Sequence, residues 1–362
     1  RFLFQVLAMG HSQFAQFIGA RGPNTAVNAA CASTAQAVAI AEDWIKVGRC
    51  ERVIVVGSDD VTSDNMLKWI GGGFMAAGAA TTHDVVEEAA LPFDRRRHGM
   101  ILGMGAAGMV IESAESCNQR GVIPLAELLG SSIVNSAYHG TRLDADHIAS
   151  VMDTLIAKVT AAEGISRAEM ASKTVFLSHE TYTPARGGSS ASEINALFTA
   201  FGDDASKIVI SNTKGFTGHP MGAGIEDSVA IKALQYGIAP PIANLKEPDE
   251  ALGDLTLSIG EQRDYRYAIR LAAGFGSQLA ITTWKAIAQC DDRVPATETR
   301  AAWLRSVTGF SAVEERIEQR TLRISEGKVD SLLPIIPDVS PATLRSSAPV
   351  AATTPQPVAP VT

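Results

Sequence analysis

Short apolar runs alternate along this chain with longer segments whose apolar residues recur every three or four positions. The short runs are rich in Val and Ile and end in small or polar residues, which is typical of strands covered on both faces. They are residues 52–60, 106–113, 173–180 and 207–215. The longer segments, predicted to be helices, include residues 35–48, 144–164, 190–204 and 224–237. This alternation predicts an α/β protein.

The end of the packed core is marked by the stretch YAIRLAAGFGSQLAITTWK, residues 267–285. Two β-rich halves flank Gly274 to Ser277, which predicts an antiparallel hairpin that closes the sheet. We therefore assign residues 1–286 to one packed domain and residues 287–332, which include EERIEQR, to a helical extension. The last 30 residues, 333–362, hold seven of the 16 prolines and predict an extended linker toward another domain.

Composition narrows the class of protein. The 362 residues are 46% hydrophobic and 19% charged, enough apolar material for a large core. The net charge of −8 and the absence of a basic stretch argue against nucleic acid or an anionic membrane surface as a partner. The four cysteines lie far apart without a C-x-x-C pair, which favours reduced thiols and a cytosolic location.

Cys31 is a candidate nucleophile. It lies in NAACAST, after the β-favouring stretch PNTAV (23–27) and just before a predicted helix, so we expect it on a strand-to-helix turn. Small neighbours permit a sharp turn, and the positive end of a helix dipole favours thiolate over thiol. The N–H group of Cys31 would also be placed to donate to an oxyanion. Position alone leaves the alternative of a buried core cysteine open, because cysteine is among the most buried residue types.

Two histidines and a lysine strengthen the catalytic interpretation. His179 follows a predicted strand, and His219 follows the next one in the segment KGFTGHPMGAG, which also contains Lys214. Open α/β sheets keep their sites at the carboxyl ends of strands. The sequence therefore predicts a Cys-His-His-Lys set at one edge of the sheet.

Several motifs occur in the order found in one enzyme family. They are NAACAST, PFDRRRHGMILGMGAAG, SHETYTP, NTKGFTGH, PPIANLKEPD and AGFGS. On these motifs residues 1–286 resemble the ketosynthase (β-ketoacyl synthase) family of thiolase-fold condensing enzymes. The resemblance covers roughly the C-terminal two thirds of such a domain and implies a layered α-β-α-β-α thiolase-like fold whose N-terminal part is missing. The helical spacing that begins at Arg1 agrees with a chain that starts inside an element.

The resemblance also implies roles for individual residues. Cys31 would accept an acyl chain as a thioester, while His179 and His219 would promote decarboxylation of a malonyl unit more than acyl loading. Lys214 would orient the site through an acidic partner, Glu226 or the adjacent Asp227. The remaining implied roles are a gate and second oxyanion N–H at Phe275, and contacts to the pantetheine arm at Thr181 and Thr183.

The reaction implied is a decarboxylative Claisen condensation on an acyl carrier protein, as in multidomain fatty acid or polyketide synthesis. It needs no metal or redox cofactor, since the phosphopantetheine arm of the carrier brings the substrate. The resemblance further implies a homodimer, and the linker suggests a carrier protein in cis beyond it.

Several residues depart from the family pattern, among them Ser277, Gln278 and Leu279, which stand in place of Gly-x-Asn. Met104 stands in place of an acid, His98 in place of an Asp, and Glu180 and Tyr182 in place of two glycines. Larger side chains at the last two positions would reshape the pantetheine mouth, which concerns acyl-chain and carrier preference rather than the reaction.

Three other interpretations were weighed. GMGAAG, residues 103–108, matches the dinucleotide motif G-x-G-x-x-G, but the following residues continue as a strand instead of opening a helix. GHPMGAG is similar to a thiolase loop, yet a thiolase needs a second catalytic cysteine in a C-x-G-x-G motif, and Cys290 is not followed by these glycines. Non-catalytic partner subunits that set chain length lack the nucleophile that Cys31 would provide.

Overall fold

The computed structural model describes residues 9–183, 188–287, 297–318 and 321–327. These residues belong to two units, Arg1–Arg293 and Val294–Thr362. No helix in the described part of the chain combines the length and the apolar character needed to cross a membrane.

The first unit is built from alternating helices and strands. Its helices are α1 (Gly10–Ile18), α2 (Ser33–Lys46), α3 (Leu67–Ala76), α4 (Ala114–Arg120), α5 (Ala145–Glu163), α6 (Arg167–Ser172), α7 (Ser189–Phe201), α8 (Lys214–Thr217) and α9 (Ile225–Tyr236). Its strands are β1 (Arg52–Asp59), β2 (Gly105–Glu112), β3 (Ala126–Asn135), β4 (Thr174–Leu177), β5 (Val209–Ser211), β6 (Thr256–Leu257), β7 (Tyr267–Gly274) and β8 (Gln278–Ala286). The predicted α/β class is confirmed.

A six-stranded mixed sheet has the order β3-β8-β7-β4-β5-β6. Strands β7 and β8 form the predicted antiparallel hairpin, with Gly274 opposite Gln278. Strands β7, β4, β5 and β6 run parallel to one another. The carboxyl ends of β7, β4 and β5 therefore meet at one edge of the sheet, where loops from distant parts of the chain converge.

Strand β4 is buried on both faces, as the sequence predicts. Val175 and Leu177 belong to a core cluster with residues of α2 and α9, such as Val38 and Ala230. Phe176, on the opposite face, belongs to a second cluster that includes residues of α5 and α7. Because α2 also packs on β1 and α9 on β2, these two helices lie between the two sheets. The layer order is the β1–β2 sheet, α2 with α9, the six-stranded sheet, and α5 with α7.

The antiparallel β1–β2 sheet differs from the prediction. Its side chains alternate between a covered face, with Val55 buried, and an open face on which Ile54, Val56 and Val110 are 44%, 55% and 56% exposed. The expectation that both faces are covered is wrong for these strands, because helices α2 and α9 cover only one face. An apolar run by itself does not show whether a second layer lies on its other side.

The residues before Cys31 form no strand in the structure. Residues 23–27, PNTAV, lie between α1 and α2 without regular secondary structure, and Pro23 to Ala26 are exposed. No described strand pairs with them, and β-favouring residues form a strand only when a neighbour supplies hydrogen bonds. The predicted strand-to-helix turn is therefore a loop-to-helix turn.

The second unit contains α10 (Thr297–Thr308) and an antiparallel pair, β9 (Val313–Glu318) and β10 (Thr321–Glu326). The helical extension predicted for residues 287–332 is thus helical over α10, while most of EERIEQR lies in a strand. Apolar residues four apart, Val313 and Ile317, suit a helix and a strand alike. In TLRISE, residues 321–326, apolar and polar residues alternate, which favours a strand that can pair with β9. Residues 333–362 and Cys290 lie outside the described residues.

Candidate active site

Cys31 lies at a tight turn immediately before helix α2. The turn is held by hydrogen bonds from the Ala32 and Ser33 amides to the carbonyls of Ala29 and Ala30, both 3.1 Å. Ala30 has φ +50°, a left-handed conformation that a small side chain tolerates better than a branched one. The predicted sharp turn among small residues is present, and it holds Cys31 at the base of the cavity described below.

The end of β7 packs directly against this turn at Gly274. A Cβ atom there would lie 2.3 Å from the carbonyl oxygen of Ala29 and 3.1 Å from the amide nitrogen of Cys31. Only glycine permits this approach of two backbones. The next residue, Phe275, is thereby placed beside the nucleophile turn.

The two predicted histidines meet above Cys31. Nε2 of His219 lies 3.0 Å from Sγ of Cys31. The rings of His179 and His219 pack edge to face, with centroids 5.7 Å apart. Both side chains are buried. They meet because they follow β4 and β5, which are adjacent parallel strands.

Lys214, the first residue of α8, connects this pair to a buried acid. Its Nζ donates to the carbonyl oxygen of His179 at 2.8 Å and lies 3.4 Å from Nδ1 of the same residue. It also lies 3.1 Å from Oε1 of Glu226, so the structure places the first of the two candidate acids against the lysine. An ammonium group only donates, which makes Nδ1 of His179 an acceptor. The neutral ring therefore carries its proton on Nε2.

The thiol and both imidazoles are uncharged near neutral pH. Burial, aided by the Lys214 charge, lowers the pKa of His179 well below 6.5 and that of His219 to about 3. Burial raises the pKa of Cys31 to about 11, and the Lys214 charge offsets only part of that rise. The expectation that the helix terminus favours a thiolate is therefore wrong, because desolvation of the sulfur outweighs it. Cys31 and His219 form a neutral thiol–imidazole pair.

A cavity of about 240 Å³ opens onto this pair. Cys31, His179 and His219 line it together with the predicted Thr181, Thr183 and Phe275. The hydroxyl oxygens of Thr181 and Thr183 are 3.2 Å apart. The Phe275 ring packs against Phe74 with centroids 5.5 Å apart, and Met100, Ala77 and Ala79 add further apolar wall. The cavity thus offers both hydroxyl groups and apolar surface to a ligand.

The sequence analysis missed Glu193. Its Oε1 accepts a hydrogen bond from the His179 amide and its Oε2 one from the Ser178 hydroxyl, both at 2.5 Å. Burial raises its pKa to about 8; the hydrogen bond from Ser178 offsets part of that rise, and the charge of Glu180 adds a smaller rise. The sequence did contain a signal: Glu193 lies three and four residues before Ala196 and Leu197, which places this acid on the apolar face of α7.

Glu180 and Tyr182 point away from the cavity, contrary to the expectation that they reshape its mouth. Neither is among the residues that line it, whereas Thr181 between them is. Glu180 accepts hydrogen bonds from the Ser189 hydroxyl at 2.7 Å and the Ser190 amide at 2.8 Å. Tyr182 is fully buried, and its hydroxyl donates to the carbonyl oxygen of Lys214 at 3.3 Å.

Two other departures also lie apart from the chemistry. Met104 is 58% exposed and is not among the residues that line the cavity. His98 contacts the Thr81 hydroxyl at 2.9 Å and the carbonyl oxygen of Glu88 at 3.1 Å. The glycines of GMGAAG end within strand β2 and open no helix, which removes the dinucleotide interpretation.

Two family models match this chain. They are described as the N-terminal domain of β-ketoacyl synthase, over residues 5–116, and its C-terminal domain, over residues 125–246. Among curated relatives, 3-oxoacyl-[acyl-carrier-protein] synthase 2 of Vibrio harveyi is 32% identical over 276 residues, 75% of this chain and 64% of the relative. Nodulation protein E of Rhizobium meliloti is 32% identical over 278 residues, 76% of this chain and 65% of the relative. The chain spans just under two thirds of the length of these relatives.

Solved structures share the fold. One is a type II polyketide ketosynthase, bound to a hexaketide, in complex with its acyl-carrier protein; it matches with a TM-score of 0.68 and 26% identity, over 77% of this chain and 66% of that one. A β-ketoacyl synthase from Burkholderia phymatum matches with a TM-score of 0.63 and 25% identity, over 72% of this chain and 61% of that one. These likenesses confirm the predicted thiolase-like fold.

Proposed function

This chain belongs to the β-ketoacyl synthase family, and from that premise we propose that it catalyses decarboxylative Claisen condensation. A Cys31-bound acyl group would be joined to a malonyl-type thioester on an acyl carrier protein to give a β-ketoacyl chain. The observation that carries the proposal is the 3.0 Å contact between Cys31 Sγ and His219 Nε2, with His179 packed on the same imidazole. A non-catalytic chain-length subunit has no use for this contact.

The first step loads the enzyme. As an acyl thioester approaches, the Cys31 proton passes to Nε2 of His219 and the sulfur attacks the carbonyl carbon. The carbon–sulfur bond to the carrier breaks, and the departing pantetheine thiolate takes the proton from His219. The amides of Cys31 and Phe275 are proposed to donate to the oxyanion that forms on the way.

The second step makes the carbon–carbon bond. The malonyl thioester loses CO₂, and the released electron pair forms an enolate whose oxygen accepts a hydrogen bond from Nε2–H of His179. His219 donates a second one after its single ring proton has moved to Nε2 by exchange with solvent. The enolate carbon attacks the Cys31 thioester, and the Cys31 thiolate leaves and takes up a proton from solvent. Lys214 contributes by holding His179 in the tautomer whose Nε2 donates.

The substrate carrier follows from the site and from the neighbours. We infer that a phosphopantetheine arm enters the cavity past the hydroxyls of Thr181 and Thr183, which line it. Support comes from the related ketosynthase solved in complex with its acyl-carrier protein. Placement of the carrier in cis beyond the 333–362 linker is part of the proposal, as is the division into a domain over 1–286 and an extension over 287–332.

A homodimer is also proposed. The open face of the β1–β2 sheet, with Ile54, Val56 and Val110 exposed, supports further protein contacts in the working enzyme. A cytosolic setting agrees with the free thiols of Cys31, Cys50 and Cys117.

Condensation is tested with the purified protein, an acyl carrier and a malonyl carrier labelled with ¹³C in its carboxyl group. From the parent protein we expect the β-ketoacyl carrier and labelled CO₂ in equal amounts. A Cys31→Ala variant should form no β-ketoacyl carrier, and therefore should release no CO₂ that is coupled to its formation. Formation of acetoacyl-type product from two unmalonylated thioesters would instead support the thiolase interpretation.

A further inference from the structure

Beneath the two histidines lies a second buried cation, Arg270, which the reaction scheme above does not use. It projects from strand β7 and is 2% exposed. Glu226, Asp227 and Lys214 beside it are 2%, 1% and 1% exposed. Two positive and two negative charges therefore share one dry compartment. Burying a charge is unfavourable unless an opposite charge lies beside it, so the partner of each of these four groups matters.

Arg270 divides its guanidinium between two acids. Its Nη2 lies 3.5 Å from Oε2 of Glu226, and its Nε lies 3.8 Å from Oδ2 of Asp227. Its Nη1 donates to the carbonyl oxygen of Leu271. Lys214 contacts the other oxygen of Glu226, Oε1, at 3.1 Å. Each oxygen of the Glu226 carboxylate thus faces a different cation.

This division fixes the orientation of the Glu226 carboxylate. The terminal torsion of a glutamate is broad, so a carboxylate held by a single ammonium is free to rotate about it. The guanidinium beside the second oxygen disfavours that rotation by charge attraction, because at 3.5 Å the contact is an ion pair rather than a hydrogen bond. Lys214 is then held where its Nζ reaches both the carbonyl oxygen and Nδ1 of His179.

We propose that Arg270 is a positioning residue for the condensation, because it holds the Glu226 carboxylate that keeps Lys214 against His179. The inference rests on the proposed function. The competing role is purely structural: Arg270 would serve only to neutralise Asp227, and Glu226 would keep its place without it. The two roles differ in what happens when Arg270 and Asp227 are removed together.

The decisive variant is therefore the charge-balanced pair Arg270→Met with Asp227→Asn, which leaves no unpaired charge. If Arg270 positions Glu226, the kcat for malonyl decarboxylation falls roughly 10- to 100-fold, as expected for a misplaced catalytic group. KM for the malonyl carrier and the rate of Cys31 acylation stay near those of the parent. Arg270→Lys, whose single ammonium cannot serve both acids, recovers only part of the loss. The matched control is Arg266→Met, an exposed arginine just before the same strand.

A second readout does not depend on turnover. The ¹⁵N spectrum of His179 reports which ring nitrogen holds the proton, and we expect the Nε2–H tautomer in the parent and a mixture in the charge-balanced variant. Parent kcat together with a parent-like spectrum in that variant would overturn the role of Arg270. A parent protein that shows the Nε2–H tautomer but no condensation would count against the proposed function instead, and the spectrum of the variant would still decide the role of Arg270.

Discussion

His219 Nε2 and Cys31 Sγ, 3.0 Å apart, form a pair in which neither group is charged near neutral pH. The reason is burial, which lowers the pKa of His219 to about 3 and raises that of Cys31 to about 11. The pair is therefore a proton donor and an acceptor at rest rather than a preformed thiolate and imidazolium. In the proposed reaction its proton moves when a thioester arrives.

Alkylation of Cys31 tests this resting state. Because the pKa of Cys31 is raised to about 11, the thiolate fraction grows as the pH approaches that value. We expect the rate of modification by iodoacetamide, followed by mass spectrometry of the Cys31 peptide, to rise throughout the range from about pH 7 to about pH 10. A rate that levels off below about pH 8 would show a thiolate already formed, and a Cys31→Ser variant gives the background.

Replacing each of the two histidines by alanine is expected to slow different steps of the reaction. The resemblance implies that both serve decarboxylation more than acyl loading, but His219 contacts Cys31, so we expect His219→Ala to slow both the acylation of Cys31 and the condensation. His179→Ala spares acylation but lowers condensation by about 10² or more, the scale of losing one oxyanion donor. Acyl-enzyme mass and CO₂ release separate the steps, and His83→Ala, at an exposed histidine, is the control. Equal acylation by both variants would remove His219 from the loading step.

At Tyr182 the stabilisation gained by burying the ring opposes the cost of a strained backbone conformation. Its φ of +45° favours glycine, but its ring is fully buried and its hydroxyl accepts from the Ile101 amide at 3.2 Å. Tyr182→Phe should lower the free energy of unfolding by about 1–3 kcal/mol, because that amide loses its partner. Tyr182→Gly should cost about 3–5 kcal/mol, since the cavity left by an aromatic ring outweighs the relieved strain. Urea titrations measure both, and a glycine variant as stable as the parent would mean that strain dominates.

Glu193 should make stability fall as the pH rises from about 4.5 to about 8. Burial raises its pKa from 4.5 to about 8, so between those values the folded state holds a proton that the unfolded chain has lost. The free energy of unfolding therefore decreases as the pH rises through that window. The comparison is clearest above about pH 6.5, where the neutral histidines no longer contribute. Glu193→Gln should flatten the dependence between about pH 6.5 and about pH 8.5 in urea titrations, and an unchanged slope would contradict the assignment.

Local patterns were sufficient to find the residues that meet at the candidate site. Cys31, His179, Lys214 and His219 each adjoin a strand or helix end, and parallel strands bring such ends together whatever else the fold contains. The choice between Glu226 and Asp227 needed the rotation of α9 about its axis, which the sequence does not specify. Glu193 and Arg270 were missed because their importance lies in what faces them across the core.

The fold was predicted best where burial is complete. The apolar runs that became β4 and β5 are covered on both faces, so their composition and their surroundings agree. The runs that became β1 and β2 have the same composition but an open face. PNTAV was predicted to be a strand and is a loop, whereas EERIEQR was predicted to be helical and lies mostly in a strand. Both predictions were wrong because a strand forms only where another strand pairs with it.

The central claim is that Cys31 carries the acyl chain between the two half-reactions. A pulse-chase experiment tests it most directly: the protein is loaded from a ¹⁴C-acyl carrier, separated from it, and mixed with a malonyl carrier. We expect the label to sit on the Cys31 peptide after the pulse and to move quantitatively into β-ketoacyl carrier during the chase, with one CO₂ for each label moved. Label on Cys50, Cys117 or Cys290, or label that stays on the protein while product forms, would contradict the account.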